Sequence, residues 1–469
     1  MASAIILLPF YIYYLPTESY GALTLSLSLA ALIQIITAYS FDSSLYIHYH
    51  ELRNEVEKLN PFISSAFIFM AGLGLVIGIS LSIIGQWVFT LVLPGNSISF
   101  YPYGFVAVGV GIFQAIFKVH GNLLQTREKP EVFLWSNVCS FGLIAIATIV
   151  GLKLFPGTLI GPLGGRLIAA FGSAAWVLFR VFREFGFYFS SPWKYTSRSF
   201  NAFTFAYQLQ QWVINYIDMF IILFFMPVAA LATVGVYAFA VKCLAPIELL
   251  LNGLNASMFP QIIKLINKQV KVKSSTTEIN RYFYGQISVI MLMIAGSVLL
   301  LPWIMSWFVS WFAQKNNYLR ALEFVPYIAV LFIFRSMRLF FVVPFNVLKK
   351  MKQLTFLSFF ISVLKVGLMA IFIVRWQVMG VIAASTLAYA IELVLLWYYL
   401  RHDYQMKFNS FKLILAPMFL LLVIVFMEPF LGATYPTSVH LGYAALCALL
   451  LWFSYRNELK LVNPFKMFK

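Results

Sequence analysis

The chain has 469 residues, of which 62% are hydrophobic and only 10% are charged. An ordinary soluble domain carries about 25% charged residues, so this chain has too little polar surface to cover a globule in water. Its formal charge of +17 at pH 7 falls mostly in short connections between apolar blocks. That placement is typical of membrane topology and gives no indication of nucleic-acid binding.

The apolar residues come in blocks of about 18 to 25, the length of a helix that crosses a hydrocarbon core about 30 Å thick. The alternating segments of about ten residues that mark barrel strands are absent. We therefore predict an all-α polytopic membrane protein with about fourteen transmembrane helices, the first of them short for a full crossing. The predicted spans are 2–15, 21–41, 62–84, 101–120, 133–154, 158–179, 203–225, 232–255, 284–309, 322–344, 354–374, 378–400, 411–431 and 438–455.

The connections between spans sort by charge when the N-terminus is placed inside. The inner connections and the C-terminal tail hold 23 of the 33 Lys and Arg residues. The outer connections hold four: Lys153, Lys315, Arg320 and Arg375. Because cytoplasmic loops carry the Lys/Arg excess, we predict that both termini are cytoplasmic. The inner charges are expected near anionic lipid headgroups.

The two halves of the chain resemble each other weakly. Pro16 precedes Gly21 and the second span, and Pro227 precedes Gly235 and the eighth. This offset of about 214 residues predicts a repeat of six spans in the same orientation, as in transporters built from paired bundles. Within the eighth span, Pro246 predicts a kink.

The predicted division into domains follows the repeat. We expect an N-terminal six-helix bundle over residues 1–182 and a cytoplasmic interfacial linker, rich in basic and aromatic residues, over 183–202. A C-terminal six-helix bundle follows over 203–402, and a terminal helix pair with a basic tail over 403–469.

Charged residues within the predicted spans are the main functional signal. The basic ones are Lys118, Arg166, Lys242, Arg335, Arg338 and Lys365, and the acidic ones are Asp218, Glu248 and Glu392. A charge near the bilayer centre costs about 2.5–3.5 kcal/mol on insertion scales unless it faces protein or water. The positive excess predicts a wet, cationic interior that suits an anionic substrate.

We rank the cations by how poorly helix packing alone explains a positive charge at each position. Arg335 and Arg338 are three residues apart and share a helix face, so they are the first candidates for an anion site. Arg166 follows a glycine-rich run, which predicts an irregular helix whose backbone lines a cavity. Lys242 and Lys365 are the second choices, whereas Lys118 is expected to extend to the membrane interface.

The acids leave several alternatives open. Lys365 and Glu392 lie on successive spans and could form a structural ion pair. Glu248 is six residues from Lys242, too far round one helix for an ideal pair, so each is expected to find a partner on another helix. Asp218 could bind a coupling ion, partner an arginine, or pack as a polar residue.

No motif of a catalytic or nucleotide-binding site is present in the sequence. The cysteines Cys139, Cys243 and Cys447 lie in apolar blocks without metal-ligand spacing, and we expect them to be packing residues. The acids of the outer loops are few and widely separated, a poor basis for paired-carboxylate chemistry. We predict a protein that is not an enzyme and has no cofactor or metal.

Three stretches of the sequence carry a family resemblance: the opening from Leu8 to Gly21, the end of the second span from Phe41 to Glu51, and the start of the second half from Trp212 to Asp218. They resemble the polysaccharide (O-antigen) flippases of the multidrug/oligosaccharidyl-lipid/polysaccharide exporter superfamily. In span number, orientation and repeat, the resemblance covers essentially the whole chain.

The resemblance implies fourteen helices in two six-helix bundles plus a C-terminal pair. It also implies transport of an undecaprenyl-pyrophosphate-linked oligosaccharide from the cytoplasmic to the periplasmic leaflet of the bacterial inner membrane. We predict that this transport works by alternating access, and that a coupling ion, proton or sodium, would bind at Asp218, Glu248 or Glu392. Expected partners are this substrate, membrane lipids and other polysaccharide assembly proteins. Two alternatives remain: a cation-coupled drug antiporter of the same superfamily, which would need an acid-rich cavity, and a membrane-embedded polymerase or ligase.

Overall fold

The computed structural model describes residues 2–93, 98–196, 198–226, 229–272, 277–310, 316–348, 350–401, 408–427 and 437–459. Within these ranges every regular element is a helix, which confirms the predicted all-α fold. The chain divides into two compact units. We call Ile6–Gly235 the N-terminal unit, and Val236–Lys469 with Met1–Ile5 the C-terminal unit. The domain boundaries predicted from the sequence stay predictions.

The helices up to residue 243 begin and end at residues whose backbone preferences explain the boundaries. Pro130 opens one of them, where its missing N–H costs nothing, and Gly186 closes another at φ 79°. Tyr39 and Ser40 both adopt left-handed conformations between two more. These helices are α1 (Ala2–Tyr14), α2 (Thr17–Ala38), α3 (Phe41–Leu52), α4 (Val56–Val92), α5 (Phe105–Thr126), α6 (Pro130–Leu154), α7 (Ile160–Phe185), α8 (Arg198–Phe225) and α9 (Ala230–Cys243).

The remaining helices include two breaks that the sequence predicts. They are α10 (Ala245–Val272), α11 (Thr277–Ser310), α12 (Val325–Val347), α13 (Met351–Leu400), α14 (Ala416–Met427) and α15 (Thr437–Leu459). The bend of 44° between α9 and α10 confirms the kink predicted at Pro246. In α13, Gln377 leaves the helical conformation at φ 50° and ψ −133°, between the predicted spans 354–374 and 378–400.

The lengths and apolar character of these helices make the chain a multi-pass membrane protein. In the described ranges, seven continuous helical stretches are long and apolar enough to cross a bilayer, and α9 with α10 forms an eighth. One of the seven, Lys352–Leu400, contains two predicted spans. The exact number of fourteen crossings stays a prediction.

Large apolar side chains that face outward identify the lipid-facing helices. On α4, Trp87 is 81% exposed and Leu91 80% exposed. Ile146 on α6 is also well exposed. Contiguous apolar faces of this size would be unstable in water, so hydrocarbon is the environment that suits them.

Helix α12 has the opposite character, because most of its residues are buried inside the C-terminal unit. It packs against α10, α11 and α13, and Ile333, Phe340, Val343 and Phe345 on it are almost fully buried. Charged side chains on α12 are therefore carried by a helix that is largely enclosed by other helices.

Helices α6 and α7 approach each other so closely that glycine is required at the contact. A Cβ atom on Gly161 would collide with the backbone of Gly151, and one on Gly165 with the backbone of Ala147. The helix α7 is regular from Ile160 onward. The expectation that this glycine run makes the helix irregular is therefore wrong, since the glycines serve close helix packing.

The two glycines of the predicted repeat contact each other within the N-terminal unit. A Cβ on Gly21 would collide with the carbonyl oxygen of Leu231, and a Cβ on Gly235 with the carbonyl oxygen of Thr17. Thr17 and Leu231 are separated by 214 residues, as are Gly21 and Gly235. This reciprocal contact supports the predicted repeat.

Candidate functional site

Two arginines lie on the buried helix α12, one turn apart. Arg335 and Arg338 project from the same side, as expected for residues three apart in a helix. Their side chains are 32% and 17% exposed, respectively. Each has a carboxylate within ion-pair distance, and both carboxylates belong to the set of acids singled out in the sequence.

Arg338 forms the tighter ion pair. Its Nε donates a hydrogen bond of 2.7 Å to Oε1 of Glu392, which lies in the second part of α13 and is only 1% exposed. A hydrogen bond between two ionised groups is shorter and stronger than a neutral one. The sequence offers Lys365 as a residue that could pair with Glu392. The structure also places Arg338 against Glu392, because α12 packs on α13.

Arg335 forms the looser pair. Its terminal nitrogen lies 3.6 Å from Oε1 of Glu248, and the Glu248 side chain is 25% exposed. The distance is within ion-pair range but too long for a hydrogen bond. The guanidinium also lies 5.5 Å from the ring centre of Phe332. Glu248 thus finds its partner on another helix, as predicted.

The structure brings Arg335, Arg338, Glu248 and Glu392 together around α12, and we call these four residues the α12 charge cluster. Lys365 is 3% exposed, and its Nζ lies 5.9 Å from the ring centre of Tyr389, a cation–π distance. Lys242 is half-buried near the C-terminal end of α9.

The remaining predicted site residues, Arg166 and Asp218, belong to the N-terminal unit. Arg166 donates a hydrogen bond of 3.0 Å to the hydroxyl of Tyr11, while its buried Nε finds no hydrogen-bond acceptor in the described part of the chain. Asp218 is a buried residue of α8.

A second polar cluster in the N-terminal unit was not predicted as a site. Lys118 Nζ lies 3.3 Å from Oδ2 of Asp42, so this lysine has an ion-pair partner. Gln208 Nε2 donates to both carboxylate oxygens of Asp42, at 3.0 and 3.3 Å, and the N–H of Ser43 donates to one of them. The pairing joins α3, α5 and α8, which no spacing in the sequence reveals.

Beside this cluster, the predicted linker is fixed to the N-terminal unit. Trp193 packs against Tyr39, Phe41 and Phe69. Four residues earlier in the same segment, Phe189 is 88% exposed. One end of the linker is thus buried, and the other presents an aromatic ring to its surroundings.

The C-terminal helices form a partly open apolar cavity of about 480 Å³. Its lining comes from the segment 411–423 and from α15, and it includes Leu415, Phe419, Leu422 and Leu451. Such a lining suits a hydrocarbon chain. No group of three or more His, Cys, Asp or Glu side chains that could hold a metal occurs in the described ranges.

Residues 2–266 match the family model described as "Polysaccharide biosynthesis protein". The match extends over more than half of the chain. The chain belongs to this family. The family resemblance seen in the sequence is thereby confirmed.

Solved structures similar to this family member are transporters. An inward closed structure of the lipid II flippase MurJ matches with a TM-score of 0.73, at 14% identity, over 97% of each chain. An inward-facing multidrug resistance MATE family transporter of the MOP superfamily matches with a TM-score of 0.66, at 14% identity, over 86% of this chain and 95% of that one. At this identity the likeness shows the fold. No curated protein matches the chain.

Proposed function

We propose that the protein is a flippase that moves an undecaprenyl-pyrophosphate-linked oligosaccharide from the cytoplasmic to the periplasmic leaflet. It works by alternating access and serves surface polysaccharide biosynthesis. Its place is the bacterial inner membrane, with both termini in the cytoplasm. Its other partners are membrane lipids and polysaccharide assembly proteins, and it catalyses no reaction.

The α12 charge cluster is the observation that supports this proposal most. Arginine is the side chain best suited to phosphate, because its planar guanidinium donates two parallel hydrogen bonds to neighbouring oxygens. Arg335 and Arg338 offer two such groups on one buried helix. In this proposal Arg166, Lys242 and Lys365 are the secondary cations. The apolar cavity beside α15 suits the polyprenyl chain of the same substrate.

The transport is coupled to an ion, a proton or sodium, and the acids within the spans are the residues proposed to bind it. These are Asp218, Glu248 and Glu392. A cation at one of them would change the charge balance of the arginines that hold the substrate.

A cation-coupled drug antiporter is the second candidate function, since a MATE transporter has a similar fold. Cationic drugs need an acid-rich cavity. Away from the ends of its spans, the C-terminal unit instead carries four basic residues against two acidic ones: Lys242, Arg335, Arg338 and Lys365 against Glu248 and Glu392. This balance favours an anionic substrate. A polymerase or ligase would need clustered acids in an outer loop, which the sequence lacks.

The proposal is tested by reversing both charges, with Arg335→Glu combined with Arg338→Glu, in a host strain that lacks its own copy of the gene. Surface polysaccharide should fall to the level of the deletion strain, with lipid-linked repeats retained in the cytoplasmic leaflet. Arg375→Glu is the matched control, because Arg375 is exposed and lies between two predicted spans. The variant's level in the membrane is measured in parallel.

Each result has a definite meaning. Normal surface polysaccharide in the double variant would contradict the assignment of the arginines. Repeats that reach the periplasm of the deletion strain but stay unpolymerised would point to the polymerase function. Unchanged glycan in the deletion strain would leave drug export as the function to test.

A further inference from the structure

The N-terminal unit carries a group of amide side chains on three neighbouring helices. Helix α2 packs against both α5 and α8. Gln34 lies on α2, Gln114 on α5, and Gln208 and Gln211 on α8. All four are half-buried and lie within predicted spans. We call these four glutamines the amide face.

Contacts between the helices bring the amide face together. Gln34 Nε2 donates a hydrogen bond of 3.2 Å to the backbone carbonyl of Gln114. Lys118, one turn after Gln114 on α5, lies 3.3 Å from the carboxylate of Asp42. Gln208 donates to the same carboxylate at 3.0 Å. The amides of α2, α5 and α8 therefore lie within a few helical turns of one another.

Two buried atoms of the amide face have no hydrogen-bond partner among the residues that the structure describes. They are Oε1 of Gln208, an acceptor, and Nε2 of Gln211, a donor. Gln211 follows Gln208 by one turn, so both lie on one side of α8. Buried polar atoms are nearly always bonded, and an exception calls for an explanation such as a bound water or ligand. The last torsion of a glutamine is broad, so the amide of Gln211 can turn toward a ligand.

The chemistry of the amide face suits a neutral ligand that is rich in hydroxyl groups. The charges beside it, Lys118 and Asp42, form an ion pair with each other. An amide group both donates and accepts hydrogen bonds, and so does a hydroxyl group. The amide face therefore complements a sugar, whereas the guanidinium groups of the α12 charge cluster complement phosphate.

Amides within spans can also serve only to join helices, and other groups already do so here. Trp212 Nε1 donates a hydrogen bond of 2.7 Å to the carbonyl of Ser28, which joins α8 to α2. Gln208 joins α8 to α3 through Asp42. A donor that joins helices must be bonded to one, and Nε2 of Gln211 is not bonded to any described residue. Helix joining therefore leaves Gln211 unexplained.

We infer that the amide face binds sugar hydroxyls of the lipid-linked oligosaccharide, with Gln34 and Gln211 as the contacts. Gln208, held by Asp42, lies beside them. The bond to Gln114 uses one N–H of Gln34 and leaves its second N–H and its carbonyl oxygen for the sugar. The inference rests on the proposed flippase function and names the site that recognises the glycan. The predicted topology puts Gln34 and Gln114 in the cytoplasmic halves of their spans, the side from which the substrate enters.

The test compares two ligands of the purified full-length protein. One is the lipid-linked repeat extracted from the deletion strain, and the other is undecaprenyl pyrophosphate without sugar. Native mass spectrometry of the protein in detergent gives both dissociation constants, and their ratio isolates the contribution of the sugar. Gln34→Leu and Gln211→Leu remove the amides and keep the volume about the same. Gln125→Leu, an identical change at an exposed glutamine of α5, is the matched control.

We expect the wild type and Gln125→Leu to bind the glycosylated carrier more tightly than the bare one. Each amide variant should lose about two- to tenfold of this preference, the effect of one hydrogen bond, and should bind undecaprenyl pyrophosphate as the wild type does. The double variant should lose more than either single one.

An unchanged preference in the double variant would overturn the inference. An equal loss of affinity for both ligands would overturn it too, because it would indicate a structural role alone. In either case the proposed function would stand if Arg335→Gln weakens the binding of both ligands. A wild type that binds neither ligand, or a deletion strain that accumulates no lipid-linked repeat, would overturn the proposed function and the inference together.

Discussion

The two units illustrate different ways of holding helices together, although the N-terminal unit also contains the ion pair of Lys118 and Asp42. In the N-terminal unit, glycines let backbones touch, at Gly21 against Leu231 and at Gly161 against Gly151. In the C-terminal unit, α12 is fastened by arginines that pair with carboxylates on α10 and α13. Glycine contacts allow close helix packing without placing a charge inside the bilayer. Ion pairs carry charge into the bilayer at a cost of several kcal/mol, which favours a functional reason for keeping them.

The largest effect is expected when the buried pair of the C-terminal unit is broken. Glu392→Ala leaves the Arg338 guanidinium without its carboxylate among packed helices, so the free energy of unfolding should fall by about 3 kcal/mol. Denaturation of the purified protein in detergent measures this change. Glu278→Ala, on the exposed side of α11, is the control. Equal stabilities of the two variants would show that the pair contributes nothing.

A smaller effect is expected at the glycine contact of the N-terminal unit. Gly21→Ala places a methyl group against the carbonyl of Leu231, and such overpacking costs about 1–3 kcal/mol. Gly235→Ala should cost about the same, since the contact is reciprocal. The control is Gly142→Ala, where no atom beyond the adjoining turns of its own helix lies within 4 Å of the added methyl. Thermal unfolding that gives the same midpoint for all three variants would contradict the close contact.

The smallest effect is expected in the polar cluster around Asp42. Gln208→Leu removes the donor of two hydrogen bonds to this buried carboxylate, while Lys118 stays beside it. The loss should be about 1–2 kcal/mol, the cost of leaving a buried acceptor less well satisfied. Gln125→Leu changes an exposed glutamine and should leave the unfolding free energy as it is. A Gln208 variant as stable as this control would argue against a structural role of the cluster.

The sequence by itself determined which stretches of the chain can insert into a membrane, because insertion is a local property. Insertion depends on the apolar content of a stretch of about 20 residues. The all-α fold, the bend at Pro246 and the break before the span 378–400 could therefore be predicted. The charges within spans could also be identified from the sequence, because each one raises the free energy of inserting its span into the hydrocarbon core.

Only the tertiary structure decided which of these residues meet. It paired Glu392 with Arg338, joined Lys118 to Asp42, and used the glycines before Arg166 for helix packing. Pairing between helices depends on which faces pack, and residues 54 or 76 positions apart leave no local pattern that would reveal it. The distance of 3.6 Å between Arg335 and Glu248 is likewise a result of packing alone.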